Sequence, residues 1–342
     1  MSEDCRLAVV IPAYRAGATI MPVLAEIGPE VRRIYVVDDA CPEGTGEHVK
    51  RNCTDPRVHV LRNSTNLGVG GATIKGYRAA IDDGMEIIVK IDADGQMDPQ
   101  LIPFFVRPII SGEADYTKGN RFFNAASLSD MPRHRVIGNA ALSLMTKLST
   151  GYWQVFDPTN GYTAIHAAIA SLLPFERLSN RFFFETDMLF YLGLLRAVVV
   201  DIPLVAHYPS EDSHLSARTV VLPFAGLHVL RFMRRVFLNY FIRDFSLGSI
   251  CALFGFVLFV SGTTIGVVNW LVNLVRGVAT PVGTIMLAVL CLLLGIQLIL
   301  FFFATDLAAT PARPLHDLLR TRPLRPLRQF NRQPSNTNAP AE

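Results

Sequence analysis

Two long apolar runs near the C-terminal end restrict the folding of this 342-residue chain more than any other feature. Residues 247–272 contain no charged side chain, and residues 281–304 form a second uncharged run. Each run reaches the length of about 20 residues that a helix needs to cross a bilayer. A short loop with the single charge of Arg276 separates them. The sequence therefore predicts a hairpin of two membrane helices, against the alternative of two helices buried in a soluble core.

Arginine residues flank this hairpin on both sides and predict its orientation. They are Arg231, Arg234, Arg235 and Arg243 before it, and Arg313, Arg320, Arg322, Arg325, Arg328 and Arg332 after it. Because Lys and Arg are enriched in cytoplasmic flanks, we expect both flanks in the cytoplasm. The N-terminal residues carry no signal-peptide pattern, so the domain before the hairpin is also expected there. These features indicate a multi-pass protein, with a bacterial inner membrane as the expected location.

Composition argues against several classes of protein. A formal net charge of +3 gives no reason to expect a nucleic-acid partner. The five cysteines lack C-x-x-C spacing, so they predict neither a disulfide framework nor a zinc site. They are compatible with a reducing compartment.

The first 210 residues alternate between strand and helix patterns. Such alternation predicts an α/β fold, a mostly parallel sheet with helices on both faces. The strands are predicted at Leu7–Ile11, Arg33–Val37, Val58–Arg62 and Met85–Ile91, and the helices at Thr19–Ile27, with Thr19 as its cap, and from about Asn66 to Asp82. The glycine turn at Gly68-Val69-Gly70 is not a dinucleotide fingerprint, because Thr73 stands where the third glycine would fall.

The fourth predicted strand ends in the sequence Asp92-Ala93-Asp94-Gly95-Gln96. In open α/β sheets, ligands bind beyond the carboxyl ends of the strands. Carboxylates at that position can hold a hard divalent cation, which in turn binds a diphosphate. The alternative is an ordinary polar turn, since Asp and Gly are common turn residues.

Five pieces of the sequence occur in a characteristic order: Val10–Tyr14, Val37–Asp39, Asn66–Ala72, Asp92–Gln96 and Gly119–Phe122. In this order they resemble glycosyltransferase family 2, and within it the membrane-anchored polyprenyl-phosphate glycosyltransferases, which include dolichol-phosphate mannosyltransferases. The resemblance extends over about residues 7–215. It implies a nucleotide-sugar-binding domain of the glycosyltransferase A type that uses Mg²⁺ or Mn²⁺.

The resemblance also implies roles for individual residues. The nucleotide would contact Pro12, Ala13, Tyr14, Asp39, Gly68, Gly70 and Asp92, while Asp38 either shares this pocket or serves as a structural cap. The metal ligands would be Asp94 and Gln96. The carboxylates of the catalytic machinery would be Asp92, Asp94, Asp157, Glu185 and Asp187. The phosphate and acceptor site would use Arg121, Arg133, Arg135, His214 and Arg218.

Several of these side chains have a structural alternative. Arg121 could form a surface salt bridge, and Glu185 and Asp187 could pair with Arg177 or Arg181. Arg133 and Arg135 could be the solvated start of a helix.

The expected organisation has four parts. They are a catalytic domain (1–215), an amphipathic membrane-interface helix (216–245), two membrane helices (246–304) and a basic, flexible cytoplasmic tail (305–342). Glycines on the membrane helices predict packing against a second copy, hence a homo-oligomer; they are Gly248, Gly255, Gly262 and Gly266.

The implied reaction is an inverting transfer of a hexose from a nucleotide sugar, of the UDP-glucose or GDP-mannose type, to undecaprenyl or dolichyl phosphate. A hydroxyl acceptor or a polysaccharide product is the enzymatic alternative, although the Q-x-x-R-W sequence of processive synthases is absent. A catalytically silent membrane scaffold is the alternative from another class.

Overall fold

The computed structural model describes residues 5–123, 133–204 and 217–321. Its strands form one seven-stranded sheet in the order β3-β2-β1-β4-β6-β5-β7. β6 runs antiparallel to both of its neighbours, whereas every other pairing is parallel. The predicted mostly parallel sheet is therefore confirmed. The strands are β1 (Leu7–Ala13), β2 (Val31–Asp38), β3 (Val58–Arg62), β4 (Ile87–Lys90), β5 (Tyr116–Asn120), β6 (Thr163–His166) and β7 (Val199–Pro203).

Helices cover both faces of this sheet and continue into the C-terminal part. They are α1 (Ile20–Glu26), α2 (Thr45–Asn52), α3 (Val69–Asp82), α4 (Ile102–Ile110), α5 (Arg133–Thr150), α6 (Ala167–Ala170), α7 (Phe184–Leu195), α8 (Ala217–Val236), α9 (Leu247–Arg276), α10 (Val282–Ala308) and α11 (Leu315–Thr321). Two 3₁₀ turns span Pro99–Leu101 and Phe175–Arg177, and a π-helical segment, Phe237–Arg243, follows α8.

The core lies on both sides of the sheet because side chains alternate along each strand. In β1, Val10 packs into one buried cluster with Tyr77 of α3, while Val9 packs into the other with Phe105 of α4. A sheet covered on both faces leaves its strand ends as the places that a ligand can reach. The polar residues after β1, β2 and β4 lie at this carboxyl edge.

Helices α9 and α10 are long and apolar enough to cross a membrane, with mean hydropathy 2.1 and 2.9. Only 17% of each apolar window is buried, whereas a helix in a soluble core would be largely covered. The two helices approach closely because glycines line their contact. A Cβ at Gly255 would come within 3.0 Å of the Ile299 backbone nitrogen, and one at Gly295 within 2.6 Å of the Phe259 nitrogen.

The glycines expected to contact a second copy face α10 of the same chain instead. A Cβ at Gly248, Gly255, Gly262 or Gly266 would have atoms of α10 as its nearest neighbours. The close helix contact that the glycine pattern indicated thus occurs within the chain, and the homo-oligomer stays a prediction. The intrachain hairpin uses this face, so these glycines no longer support self-association.

Buried polar contacts join the hairpin to the preceding domain. Asp306, near the end of α10, accepts hydrogen bonds from Arg235 of α8 at 2.6 and 3.0 Å, from Trp153 at 2.9 Å and from Tyr240 at 2.7 Å. Arg235 and Asp306 are 2% and 3% exposed. A buried pair of this kind is costly to break, because either charge alone would be left uncompensated. A cavity of about 240 Å³ lies beside this junction, away from the strand ends.

The segment after the hairpin returns to the α/β domain. The buried Asp115 carboxylate, just before β5, accepts hydrogen bonds from the backbone nitrogens of Leu315 and His316 at 2.8 Å each. The His316 ring lies 2.7 Å from the same carboxylate and stacks on His166 at 4.5 Å. These hydrogen bonds hold the pKa of Asp115 below its usual value, although burial opposes them. Asp306 and the segment after α10 therefore both contact the α/β domain.

Candidate active site

The two aspartates at the end of β2 have different partners. The buried Asp38 carboxylate accepts from the backbone nitrogens of Cys41 at 2.7 Å and Gly46 at 2.8 Å, so it caps the start of α2. Asp39 accepts from the Asn63 side chain at 2.7 Å and from the nitrogens of Leu67 and Gly68 at 2.9 and 2.7 Å. Asp38 therefore serves as the structural cap, which was the alternative to a place in the nucleotide pocket. Asp39 holds the loop that leads into α3.

The glycine turn before α3 is determined by packing. Gly68 has φ +89°, a conformation that favours glycine, and a Cβ at Gly70 would lie 2.5 Å from the Ser179 carbonyl oxygen. The nitrogens of Gly70 and Gly71 donate to the Asn180 carbonyl oxygen at 2.9 and 3.1 Å. The Gly68 nitrogen donates to Asp39 and the Gly70 nitrogen to Asn180, so a ligand that accepted from either nitrogen would have to displace that hydrogen bond. The nucleotide contact expected for both glycines remains a prediction.

The end of β1 contributes the remaining side chains of the expected nucleotide pocket. Pro12 and Ala13 belong to the strand, whereas Tyr14 follows it and is 45% exposed. The guanidinium of Arg15 lies 5.5 Å from the Tyr14 ring centroid, within cation–π range. An exposed aromatic ring at a strand end is available for stacking on a flat ligand.

A buried lysine that sequence reasoning missed lies at the centre of the site. The Lys90 ammonium donates to Asp92 Oδ1 at 2.8 Å, to the Gly161 carbonyl oxygen at 3.2 Å and to Glu185 Oε1 at 3.3 Å. Its side chain is 1% exposed. Burial disfavours the charge, yet the carboxylates of Asp92 and Glu185 outweigh it and raise the pKa of Lys90. The sequence signal that could have identified Lys90 is a charged residue within an otherwise apolar strand.

The two carboxylates after β4 differ in environment. Asp92 is paired with Lys90, and its Oδ2 lies over Gly161, where a Cβ would come within 2.5 Å. Oδ1 of Asp94 accepts from the Gln96 backbone nitrogen at 3.0 Å. The pKa of Asp94 is raised, chiefly by desolvation and further by the negative charge of Asp92. A cation beside Asp94 would relieve this repulsion.

The donor set fits a divalent metal that is shared with a diphosphate. Among the residues that the structure describes, no group of three His, Cys, Asp or Glu side chains could hold a metal ion by itself. Mg²⁺ is commonly bound by one or two carboxylates together with substrate phosphates. Asp94 supplies one such carboxylate, and Asp92 lies two residues before it. Gln96 is exposed next to them and is placed to add a carbonyl oxygen.

Arg121 and Asp157 form an ion pair. The Arg121 guanidinium donates to both oxygens of the buried Asp157, at 2.8 and 3.1 Å. Arg121 thus forms a salt bridge, as the structural alternative for this residue supposed. Its partner, Asp157, is one of the carboxylates expected to be catalytic. This bidentate pair orients Arg121 at the end of β5.

Glu185 and Asp187 share the first turn of α7 but contact different groups. Glu185 contacts Lys90, as described, and is 9% exposed. Asp187 is fully buried and accepts from the Ser179 hydroxyl at 2.6 Å and from Arg231 of α8 at 2.7 and 3.1 Å. The structural alternative of an ion pair with Arg177 or Arg181 names the wrong cations. Lys90 pairs with Glu185, and Arg231 of α8 pairs with Asp187. All the described contacts of Asp187 are structural.

A second polar layer beneath the site was also missed. Lys118 is fully buried, and its ammonium donates to the Asn160 carbonyl oxygen; burial lowers its pKa to about 8. Asp201 accepts from Asn120 at 2.9 Å, and burial raises its pKa to about 6. No spacing rule connects residues so far apart in the sequence, so only the fold reveals this layer.

Four of the expected acceptor-binding residues cannot be placed. His214 lies outside the described residues, as do the side chains of Arg133, Arg135 and Arg218, although the backbones of those three begin α5 and α8.

Comparison with known proteins agrees with this geometry. The sequence pattern of the family described as Glycosyl transferase family 2 matches residues 8–172. An undecaprenyl-phosphate mannosyltransferase of Micrococcus luteus is 30% identical over 203 residues, which cover 58% of this chain and 82% of that protein. The chain belongs to glycosyltransferase family 2. It is accordingly a glycosyltransferase, as the sequence resemblance implied.

Further similarities extend this result. A UDP-N-acetylglucosamine–dolichyl-phosphate N-acetylglucosaminyltransferase of Methanococcus voltae is 28% identical over 65% of this family 2 chain and 93% of that protein. Glucosyl-3-phosphoglycerate synthase from Mycobacterium tuberculosis, solved with Mn²⁺, uridine diphosphate and phosphoglyceric acid, gives a TM-score of 0.50 at 19% identity, covering 68% of this chain and 78% of that one. The second similarity confirms the fold.

Proposed function

We propose that the protein transfers a hexose from a nucleotide sugar to a polyprenyl phosphate, with inversion at the anomeric carbon and with the help of Mg²⁺ or Mn²⁺. The two family relatives named above act on undecaprenyl and dolichyl phosphate, respectively. Because they transfer different sugars, the donor is left to experiment, with UDP-glucose and GDP-mannose as the first candidates.

One structural observation carries this proposal. The first turn of α7 joins the candidate active site to the amphipathic helix α8, since Glu185 contacts Lys90 while Asp187 binds Arg231. The strand-end site therefore lies within one helical turn of a contact to α8. A lipid-borne phosphate at the membrane surface would be within reach of such a site.

Exposed apolar side chains on two helices support contact with the membrane. On α8, Val229, Leu230 and Met233 are 61%, 59% and 60% exposed, and on α5, Ile137 and Leu144 are 69% and 53% exposed. Helices with one apolar face lie in the headgroup region of a bilayer. We propose that residues 216–245 do so, that α9 and α10 cross the membrane, and that the catalytic domain and both termini are cytoplasmic.

The proposed reaction does not need a strong general base. A phosphate monoester has a second pKa near 6, so the acceptor is mostly ionised at neutral pH. Glu185 is held by Lys90 and would serve orientation rather than proton transfer. Arg121, held by Asp157, would face the acceptor or donor phosphates, with Arg133, Arg135, His214 and Arg218 as the further cations. Asp94, with Gln96, would hold the metal ion, whose charge stabilises the departing diphosphate.

A transfer assay tests the proposal. Detergent-purified protein would be incubated with Mg²⁺ or Mn²⁺, undecaprenyl or dolichyl phosphate, and UDP-glucose, UDP-galactose or GDP-mannose in parallel. The expected product is a lipid carrying one sugar, formed with one preferred donor and lost in Asp94→Ala. Asp82→Ala, an exposed carboxylate on α3 away from the strand ends, is the matched control and should retain activity.

Other outcomes would support the competing functions. A product longer than one sugar would favour a polysaccharide synthase. Metal-dependent nucleotide binding without any glycolipid would contradict the polyprenyl acceptor. Absence of nucleotide binding would favour the silent scaffold.

A further inference from the structure

We infer that Lys90 is a positioning residue that clamps Asp92 and Glu185 and thereby reserves Asp94 as the carboxylate for the metal. The inference rests on the proposed function for the presence of that metal. It deepens the function by giving a structural reason, the contacts of Lys90, why Asp94 and not Asp92 or Glu185 would hold the metal.

The contacts of Lys90 connect three separate parts of the site. Its ammonium reaches Asp92 at the end of β4, the Gly161 carbonyl oxygen just before β6, and Glu185 on the first turn of α7. Because the lysine side chain is 1% exposed, water cannot replace these contacts. The ammonium thus fixes the relative positions of a strand end, a turn and a helix start.

This clamp divides the oxygens of Asp92. Oδ1 is used by Lys90, and Oδ2 lies over Gly161. Asp94 has no cationic partner among its described contacts; its Oδ1 accepts only a backbone N–H. A metal ion would therefore meet one carboxylate that already contacts a cation, Asp92, and one that contacts none, Asp94. Asp94 is the ligand that this arrangement leaves open.

The local charges agree with this division. Asp92, Asp94 and Glu185 carry three negative charges when ionised, and Lys90 carries one positive charge, which leaves two negative charges. A single divalent cation balances that remainder. Removing the ammonium would free Asp92 to join Asp94 on the metal, and more carboxylate charge at a site raises its affinity for a hard cation.

The chain offers a matched control in its second buried lysine. Lys118 is as fully buried as Lys90, but its ammonium donates to the Asn160 carbonyl oxygen. Lys118→Met and Lys90→Met make the same change in volume and remove the same charge from the interior. A purely structural role for Lys90 predicts similar effects from both substitutions.

The experiment measures binding and turnover separately in the full-length protein in detergent. Calorimetry would give the Kd of Mn²⁺ in the presence of UDP or GDP, whichever binds, and the transfer assay would give kcat and KM. For Lys90→Met we expect Mn²⁺ to bind about tenfold more tightly because a nearby positive charge is lost. We expect kcat to fall about a hundredfold because the donor-side carboxylate is misplaced. Adding Glu185→Gln to Lys90→Met should return the Mn²⁺ affinity toward the wild-type value.

Two results would overturn the inference. One is an unchanged or weaker Mn²⁺ affinity in Lys90→Met; the other is the same tightening in Lys118→Met. If Lys90→Met does not fold, Lys90→Gln keeps N–H donors without the charge and should shift the Mn²⁺ affinity in the same direction. Failure of the wild-type protein to bind Mn²⁺ with either nucleotide would instead remove the metal from the proposed function, and the inference with it.

Discussion

At the scale of single residues, Gly161 shows how tightly the site is packed. A Cβ at this position would lie 2.5 Å from both Asp92 Oδ2 and the Lys90 ammonium, so one of them must move. Displacements of about 1 Å in a catalytic group can cost about a hundredfold in rate. We expect Gly161→Ala to reduce the transfer rate by about that factor, as measured with saturating donor and acceptor.

Gly138 on α5 provides the control for this substitution. Nothing lies within 4 Å of a Cβ built there, and alanine is favoured over glycine inside a helix by up to about 1 kcal/mol. Gly138→Ala should leave the rate unchanged and slightly raise the melting temperature. Equal activity of both variants would show that the contact at Gly161 is relieved at no cost.

How far sequence reveals a site residue depends on whether its contacts are local. The Asp92–Asp94 pair was visible because a strand end and two carboxylates stand next to each other. Lys90 was missed because its role depends on a contact with Glu185, which is distant in the sequence and is brought to Lys90 by α7. The same holds for Asp187, whose partner Arg231 is supplied by another helix.

At the scale of elements, the contact between α7 and α8 depends on the buried pair of Asp187 and Arg231, which are 0% and 13% exposed at their side chains. Removing one partner of a buried pair typically costs about 3–5 kcal/mol. We expect Asp187→Ala to lower the free energy of unfolding by about this amount, measured by denaturant titration. Asp187→Ala with Arg231→Met should recover part of the loss. A stable but inactive Asp187→Ala variant would instead support the catalytic role first expected for Asp187.

Acid should weaken the same contact through His228. This residue of α8 is buried against Ser149 and Phe183, and burial lowers its pKa from 6.5 to about 4. The unfolded chain therefore binds more protons than the folded one between these values, so stability falls as pH decreases through that window. Between pH 7 and pH 5 we expect a loss of about 2 kcal/mol relative to His228→Phe, which does not titrate. Parallel pH profiles of the melting temperature for the two proteins would contradict this expectation.

Sequence predicted the elements better than their contacts. The predicted bounds of β3 and the predicted end of α3 agree with the structure, because the patterns that indicate them lie within short stretches of sequence. Thr19 occupies the N-cap position of α1 as expected, but its side chain forms no capping hydrogen bond, and its hydroxyl donates to the Ala93 carbonyl oxygen at 2.6 Å. The antiparallel direction of β6 had no local signal, since it is imposed by its neighbours β4 and β5.

At the scale of the whole molecule, the hairpin and the catalytic domain are joined at two places. The Arg235–Asp306 pair joins α8 to α10, and the Asp115 carboxylate holds the start of α11. Helix α8 precedes the hairpin and contacts the catalytic domain through Arg231 and Asp187, and α11 follows the hairpin and contacts that domain at Asp115. We therefore expect the two ends of the hairpin on one side of the membrane and the loop between α9 and α10 on the other. The arginine distribution adds which side this is, the cytoplasm, and that orientation stays a prediction.

Cysteine labelling in intact cells tests this topology. In a variant with the five native cysteines replaced, Thr280→Cys places a thiol in the loop between α9 and α10, and Asp317→Cys places one on α11, where the native side chain is 53% exposed. A membrane-impermeant maleimide should label Thr280→Cys and not Asp317→Cys, and permeabilised cells should label both. Labelling of Asp317→Cys, but not of Thr280→Cys, in intact cells would contradict the proposed cytoplasmic position of the catalytic domain and of α11.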